Sequence, residues 1–379
     1  MTHIITRLLS DQIANKLKTS DKIIILYGAR QVGKTTLINI VLEGLNLKTL
    51  KVNGDQSKFL DILSSKDFEK IKSLVSGYEL LFVDEAQKIP EIGLNLKILH
   101  DQMPDLKIIA TGSSSFDLAN KVNEPLTGRA WSYTLLPISY SELALEKNAF
   151  ELGESLEERL VYGSYPEVFS LAGYDLKREY LENIYDSYLF KDIFELANIK
   201  NAKKIRDLLR LLAFQVGSEV SVSELASALD LSKTTVDLYI DLLENAFVVF
   251  RLGGFSRNLR KEVSKMDKIY FYDLGMRNAA IGNFNLLDKR DDQGKLWENF
   301  LITERMKYLN YQTKQASTYF WRVYTGAELD YLEEMDGQLS AYEFKWKNKK
   351  SAAPKSFLEN YPEASFACIN RENYLGFIS

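Results

Sequence analysis

Three apolar runs stand out in the first third of the chain. They are Lys22-Ile23-Ile24-Ile25-Leu26-Tyr27, Glu79-Leu80-Leu81-Phe82-Val83 and Leu106-Lys107-Ile108-Ile109-Ala110. None alternates apolar with polar positions, so each predicts a strand buried on both faces, as in a helix-covered parallel sheet. Thr36-Leu37-Ile38-Asn39-Ile40-Val41-Leu42 spaces its apolar residues as a helix does. This alternation runs over residues 22–136 and predicts a three-layer α/β domain with a mostly parallel sheet. Pro137-Ile138-Ser139 breaks it, and residues 140–196 read as amphipathic helices interrupted by Gly163-Ser164-Tyr165-Pro166.

Each strand tip carries polar residues. After the first come Gly28-Ala29-Arg30-Gln31-Val32-Gly33-Lys34-Thr35 and then Thr36. Two glycines, four intervening residues, Lys and Thr form the phosphate-binding loop pattern, in its required place between strand and helix. The glycines let backbone N–H groups turn inward on phosphate oxygens. Lys34 can reach β- and γ-phosphates, and the Thr35 hydroxyl can ligate Mg²⁺. The following helix directs its positive dipole end at the same anions. ATP and Mg²⁺ are therefore the expected cofactors.

The second strand ends in Asp84-Glu85. Asp84 suits the outer-sphere Mg²⁺ position, and Glu85 suits a general base that polarises the attacking water. The third strand ends in Thr111-Gly112-Ser113-Ser114-Ser115. Ser113 is the preferred candidate there for sensing the γ-phosphate, with a helix-capping turn as the alternative.

From residue 203 the pattern changes. Ile205, Leu208, Leu209, Leu212 and Val216 recur at helical spacing before Gly217, and Val222-Ser223-Glu224-Leu225-Ala226-Ser227-Ala228-Leu229 follows. A short turn, Asp230-Leu231, leads to Ser232, which can cap a further helix over residues 233–245. That is a helix-turn-helix pattern. Two β-like segments, residues 247–252 and 268–272, flank a loop carrying Arg257, Arg260, Lys261 and Lys265, as in a winged helix with a basic wing. Lys233, Thr234 and Thr235 could enter a DNA major groove. Asp237 and Asp241 on the same helix favour protein packing instead, and both readings stay open.

Towards the C-terminus, Glu328-Leu329-Asp330-Tyr331-Leu332 and Ser340-Ala341-Tyr342-Glu343-Phe344-Lys345 flank Asp336-Gly337, a favoured hairpin turn. An unbroken ladder from that turn sets Asp330 opposite Glu343 and Glu328 opposite Lys345, all on one face. With Glu298 from a preceding helix, these residues could hold a divalent metal and a water against a phosphodiester. The alternative is cross-strand ion pairing, Glu328 with Lys345, on a solvated face.

Bulk properties narrow the field. The chain has 379 residues, net charge −4, two histidines and one cysteine, Cys368. A His/Cys zinc site and an intramolecular disulfide are excluded, and a uniformly basic nucleic-acid coat is not expected. No apolar run is long enough for a membrane span, and the first residues lack the pattern of a secretory signal. A cytoplasmic location without membrane partners is the expectation.

Taken together, the motifs resemble those of the prokaryotic AAA-type ATPases that end in a DUF4143-type region. The resemblance rests on the phosphate loop and on Phe82-Val83-Asp84-Glu85-Ala86-Gln87-Lys88, Thr111-Gly112-Ser113-Ser114 and Leu126-Thr127-Gly128-Arg129. It continues through Leu136-Pro137-Ile138-Ser139-Tyr140-Ser141-Glu142-Leu143, Gly163-Ser164-Tyr165-Pro166-Glu167 and Tyr270-Phe271-Tyr272-Asp273-Leu274-Gly275. It ends in Leu296-Trp297-Glu298-Asn299 and Glu343-Phe344-Lys345. The resemblance implies an AAA-like parallel-sheet core (residues 1–145), a helical lid or linker (146–200), a winged helix (201–265) and an α/β restriction-endonuclease-like domain (266–379). It aligns Glu298, Asp330, Glu343 and Lys345 with a nuclease motif, with Leu329 where a Pro is usual. It also makes Arg129 a candidate finger onto a neighbouring subunit's γ-phosphate in a homo-oligomer, against a structural ion pair. The implied activity is Mg-dependent ATP hydrolysis coupled to nucleic-acid handling. The alternative is a regulatory or signalling ATPase whose C-terminal half only docks a protein partner.

Overall fold

A computed structural model describes residues 4–112, 126–189, 202–256, 267–323, 326–348 and 351–379. The chain divides into two compact units that meet in sequence between Leu136 and Pro137, with the short segment 245–247 grouped with the first.

The first unit is built on five strands: β1 Ile23–Tyr27, β2 Thr49–Asn53, β3 Leu80–Asp84, β4 Lys107–Gly112 and β5 Ala130–Thr134. All pairings are parallel, in the order β2-β3-β4-β1-β5. Every residue of β1 is buried, as its unbroken apolar run requires, whereas the edge strand β5 is partly exposed. Ile23 and Ile25 pack in one layer with Ile71, Val75, Ile92, Leu96 and Leu99 from the helices Phe68–Val75 and Ile92–Gln102. Ile24 and Leu26 alternate to the other face. The order places β4 between β1 and β3, so the polar tip of β4 stands between the phosphate loop and Asp84. This is the mixed α/β, P-loop architecture expected from the sequence.

The second unit joins helices to two sheets. Helices Ala202–Phe214, Val222–Leu229 and Lys233–Asn245 precede an antiparallel pair, β6 Val249–Leu252 and β7 Lys268–Phe271. The loop residues Arg257, Arg260, Lys261 and Lys265 lie outside the described residues, as does Ser113. A separate four-stranded sheet follows: β8 Ser317–Arg322, β9 Glu328–Met335, β10 Gln338–Phe344 and β11 Ser365–Ile369, in the order β11-β10-β9-β8. One side of it buries Trp321, Leu329, Leu332, Leu339 and Ala341 against Phe255 and Phe357. The 19-residue helix Gln293–Tyr311 buries Leu296, Trp297 and Leu301.

Two loops singled out by sequence dock on each other. Gly163 (φ 72°) and Gly275 are positions where a Cβ would collide, with the Asp273 carboxylate and the Tyr162 carbonyl respectively. Buried Asp273 accepts hydrogen bonds from Ser164 N at 2.6 Å and Met276 N at 3.2 Å. Gly-Ser-Tyr-Pro and Tyr-Asp-Leu-Gly are thus two halves of one packed junction inside this unit. Among the described residues, no helix is long and apolar enough to cross a membrane.

Candidate functional sites

The phosphate loop leaves β1 through Gly28 (φ 153°), whose missing Cβ admits the Leu135 carbonyl, and enters the Lys34–Leu45 helix through Gly33 (φ 94°). Gln31 between them also adopts a left-handed backbone, φ 61°. The Lys34 ammonium is buried and donates to the Gly28 and Ala29 carbonyls at 2.8 and 2.9 Å. These bonds hold the lysine on the loop that would wrap a phosphate. Arg7 braces the loop from below, donating to Val32 O at 2.7 Å and to Leu136 O at 2.5 Å.

Asp84 is held from both sides. Thr35 Oγ1 donates to Asp84 Oδ2 at 2.9 Å, and Thr111 Oγ1 donates to Asp84 Oδ1. A hydroxyl and a carboxylate oxygen, converging across the tips of β1 and β3, are the hard oxygen donors that suit Mg²⁺. The residues therefore fit the ion that the sequence calls for. Gly54 N donates to Asp84 O at 2.8 Å, which anchors the end of β2 against the same tip. Glu85 follows in a left-handed conformation, φ 52°, and its Oε2 accepts from Gln87 Nε2 at 2.6 Å. Thr111 and Gln87 are partners that the sequence reading did not assign. The polar residue directly after the apolar run Ile108-Ile109-Ala110 was the available signal for Thr111.

Arg129 makes a two-pronged ion pair with Asp101, Nε–Oδ1 2.7 Å and Nη2–Oδ2 3.2 Å. The guanidinium accordingly holds the Asp101 carboxyl below its ordinary range. Within a single chain Arg129 is a structural partner.

The C-terminal hairpin keeps its expected register, but the paired ladder stops one step short of Asp330 and Glu343. The Asp336-Gly337 turn forms, with both residues at positive φ (51° and 78°), and the ladder runs from Gln338↔Met335 to Tyr342↔Tyr331. There the paired register ends. On the other edge of β9, Tyr319 pairs with Leu332 but Trp321 with Leu329, so a bulge accommodates Asp330 and Tyr331 opposite Phe320. The bulge re-aims Asp330, whose Oδ2 accepts from Phe344 N at 2.7 Å.

The ion pair of the alternative reading, Glu328 with Lys345, does not form. Lys345 bonds Glu343 at 2.5 Å, and Glu328 bonds Lys268 of β7 at 2.5 Å. Lys268 also reaches Glu298 at 3.4 Å, and Tyr270 OH, two residues along the same strand face, donates to Glu298 at 2.6 Å. Burial, with Glu298 and Glu343 nearby, raises the Asp330 carboxyl above its ordinary range. Burial also raises Glu298, against the opposing pull of Lys268. Glu298, Asp330 and Glu343 are thus brought together, but as hydrogen-bonded and ion-paired groups. Among the described residues, no three His, Cys, Asp or Glu side chains are arranged to hold a metal ion. Sequence reasoning missed Lys268. Its alternation with Tyr270 on a short strand was the signal.

A parallel sheet with a phosphate loop at the tip of β1 and a tethered acid at the tip of β3 defines a P-loop nucleotide-binding domain. Residues 20–144 match the family model described as "AAA domain", and residues 293–374 match "Domain of unknown function (DUF4143)". Residues 153–287 match a third, "Domain of unknown function (DUF8612)". The chain thus carries an AAA-type P-loop domain followed, towards its C-terminus, by a DUF4143 region. An uncharacterised protein of Mycobacterium tuberculosis is 29% identical over 328 residues, covering 85% of this chain and 70% of that one. Another from Methanocaldococcus jannaschii is 25% identical over 303 residues, covering 75% and 66%. Among solved structures, AMPPCP-bound DnaA from Aquifex aeolicus is 15% identical and covers 64% of this chain and 89% of that one. Its TM-score is 0.33, too low to carry an argument about this chain.

Proposed function

We propose that the protein is a Mg-dependent ATPase whose first unit hydrolyses ATP and whose second unit answers to the nucleotide state by handling nucleic acid. The observation that carries the ATPase reading is the convergence of Lys34, Thr35 and Asp84 at adjacent strand tips, with Thr111 fixing Asp84 between them. When bound, Mg²⁺ neutralises charge on the β- and γ-phosphates. Lys34 turns from the loop carbonyls to phosphate oxygens, while loop N–H groups and the helix N-terminus complete the cradle. Thr35 and Asp84 would hold the ion. Glu85 accepts the proton of the attacking water, and Gln87 fixes its carboxylate.

The pair between Arg129 and Asp101 is exposed, so Arg129 is free to exchange partners in an oligomer. If it serves a neighbouring γ-phosphate, Arg129→Ala lowers turnover by roughly 10³-fold while leaving ATP affinity close to wild type. Equal loss of affinity and turnover in a titration and a steady-state assay would count against that role.

The nucleic-acid reading is supported by the helix pair and antiparallel strands that precede the C-terminal sheet. A specific observation favours a second reading, in which the second unit docks a protein. The outer face of the Lys233–Asn245 helix exposes Asp237, Leu238 and Asp241, and Leu238 is half exposed. Acidic and apolar groups suit a protein surface better than a phosphate backbone. ATP turnover of the full chain, with and without duplex and single-stranded DNA at low salt, separates the two. A DNA-dependent rise is the expected result. Unchanged turnover together with no DNA affinity moves the conclusion to the protein-docking reading.

A further inference from the structure

The carboxylates that would form a nuclease centre already have a cation. Lys268 is 3% exposed, and its ammonium lies 2.5 Å from Glu328 Oε1 and 3.4 Å from Glu298 Oε1. Its remaining side is closed by the face of the Phe320 ring, with Nζ 5.2 Å from the centroid. Asp330 lies in the same electrostatic neighbourhood. The β7 strand presents Lys268 and Tyr270 on one face, so both reach Glu298 from a single rigid element.

The other charges are also matched. Lys345 takes Glu343, and Arg322 lies 3.9 Å from Glu328 while bonding Glu219 at 2.8 Å. A divalent ion at this point would stand against a buried ammonium, and two like charges within a few ångströms in a low-dielectric setting repel strongly. A buried carboxylate cluster needs a counter-charge, and a lysine delivered from a neighbouring strand meets that need without a metal.

We propose that Lys268 is the resident cation of the Glu298–Glu328–Asp330 cluster, and that this chain's nuclease-like centre takes no divalent metal. The second unit then grips its target without metal-dependent phosphodiester cleavage. This inference does not depend on the nucleotide site.

The test is Mn²⁺ titration of the nucleotide-free full-length protein by calorimetry. It compares wild type, Asp330→Asn, Lys268→Met, Lys268→Gln, and Lys268→Met combined with Asp330→Asn. Wild type is expected to show no site that Asp330→Asn removes. Lys268→Met and Lys268→Gln are expected to gain one, with a dissociation constant on the order of 0.1–1 mM, the range of weak oxygen-ligand sites. The added Asp330→Asn abolishes it. If either lysine variant loses its fold in metal-free buffer, its circular dichroism is expected to recover on adding Mn²⁺. A stoichiometric wild-type site lost in Asp330→Asn would overturn the proposal. So would folded lysine variants that gain no site, or unfolded ones that Mn²⁺ does not restore.

Discussion

Thr111, Gln87 and Lys268 are single polar side chains that set the orientation of acids the sequence had already marked. The acids were legible because an acid at the tip of an apolar strand is conspicuous. Thr111 and Lys268 were not, because each comes from a segment distant in sequence, while Gln87 stands two residues from Glu85 and reaches it only through the left-handed turn there. Thr111 reaches Asp84 only because β4 lies between β1 and β3. Ser113 remains an expectation outside the described residues. The hydrogen bond from Gln87 to Glu85 leads to a paired expectation. Glu85→Gln binds ATP with near-wild-type affinity and lowers turnover by about 10²–10⁴-fold, the usual contribution of a general base. Gln87→Ala, which leaves the base present but unfixed, lowers turnover by roughly 10-fold with little change in KM. Wild-type turnover in Glu85→Gln would remove the base assignment.

At the scale of elements, the hairpin turn was readable and the bulge was not. Asp336-Gly337 encodes its turn locally, through two residues that accept positive φ. The β9 bulge depends on how β8 packs Phe320 and Trp321, which no local pattern records. The same holds for a buried network beside the Gln293–Tyr311 helix. Asp292 pairs with Arg277 at 2.5 Å and with Arg290 at 2.8 Å, and both arginines are buried. Burial works to raise the Asp292 carboxyl, but Arg290 and Arg277 overcome it and hold it down at about 2. A carboxylate lowered on folding adds stability above its unfolded value of about 4, and that stability is lost as pH falls towards 2. Asp292→Asn leaves two buried guanidinium groups without their charge partner, a loss on the order of 3 kcal/mol near neutral pH. In denaturant melts, the stability gap between wild type and variant is expected to narrow from pH 4 to pH 2. A gap that stays constant over that range would show that Asp292 is not the titrating group.

At the scale of the whole molecule, the three central strands of the parallel sheet could be read from their unbroken apolar runs, whereas the partly exposed edge strands β2 and β5 carry no such run. The two units divide at Leu136–Pro137, where Pro137-Ile138-Ser139 interrupts the strand–helix pattern. The second unit was harder, since its short strands and helices bury their faces on partners distant in sequence. Its helices, the β6–β7 pair and the C-terminal sheet form one compact unit. The central claim is that the phosphate loop of the first unit drives that unit's chemistry. The most direct measurement is steady-state ATP turnover with Mg²⁺ for wild type and Lys34→Ala at matched, folded concentrations. Mg-dependent turnover in wild type that falls by at least about 10²-fold in the variant is the expected result. Turnover that persists unchanged in Lys34→Ala would contradict the account.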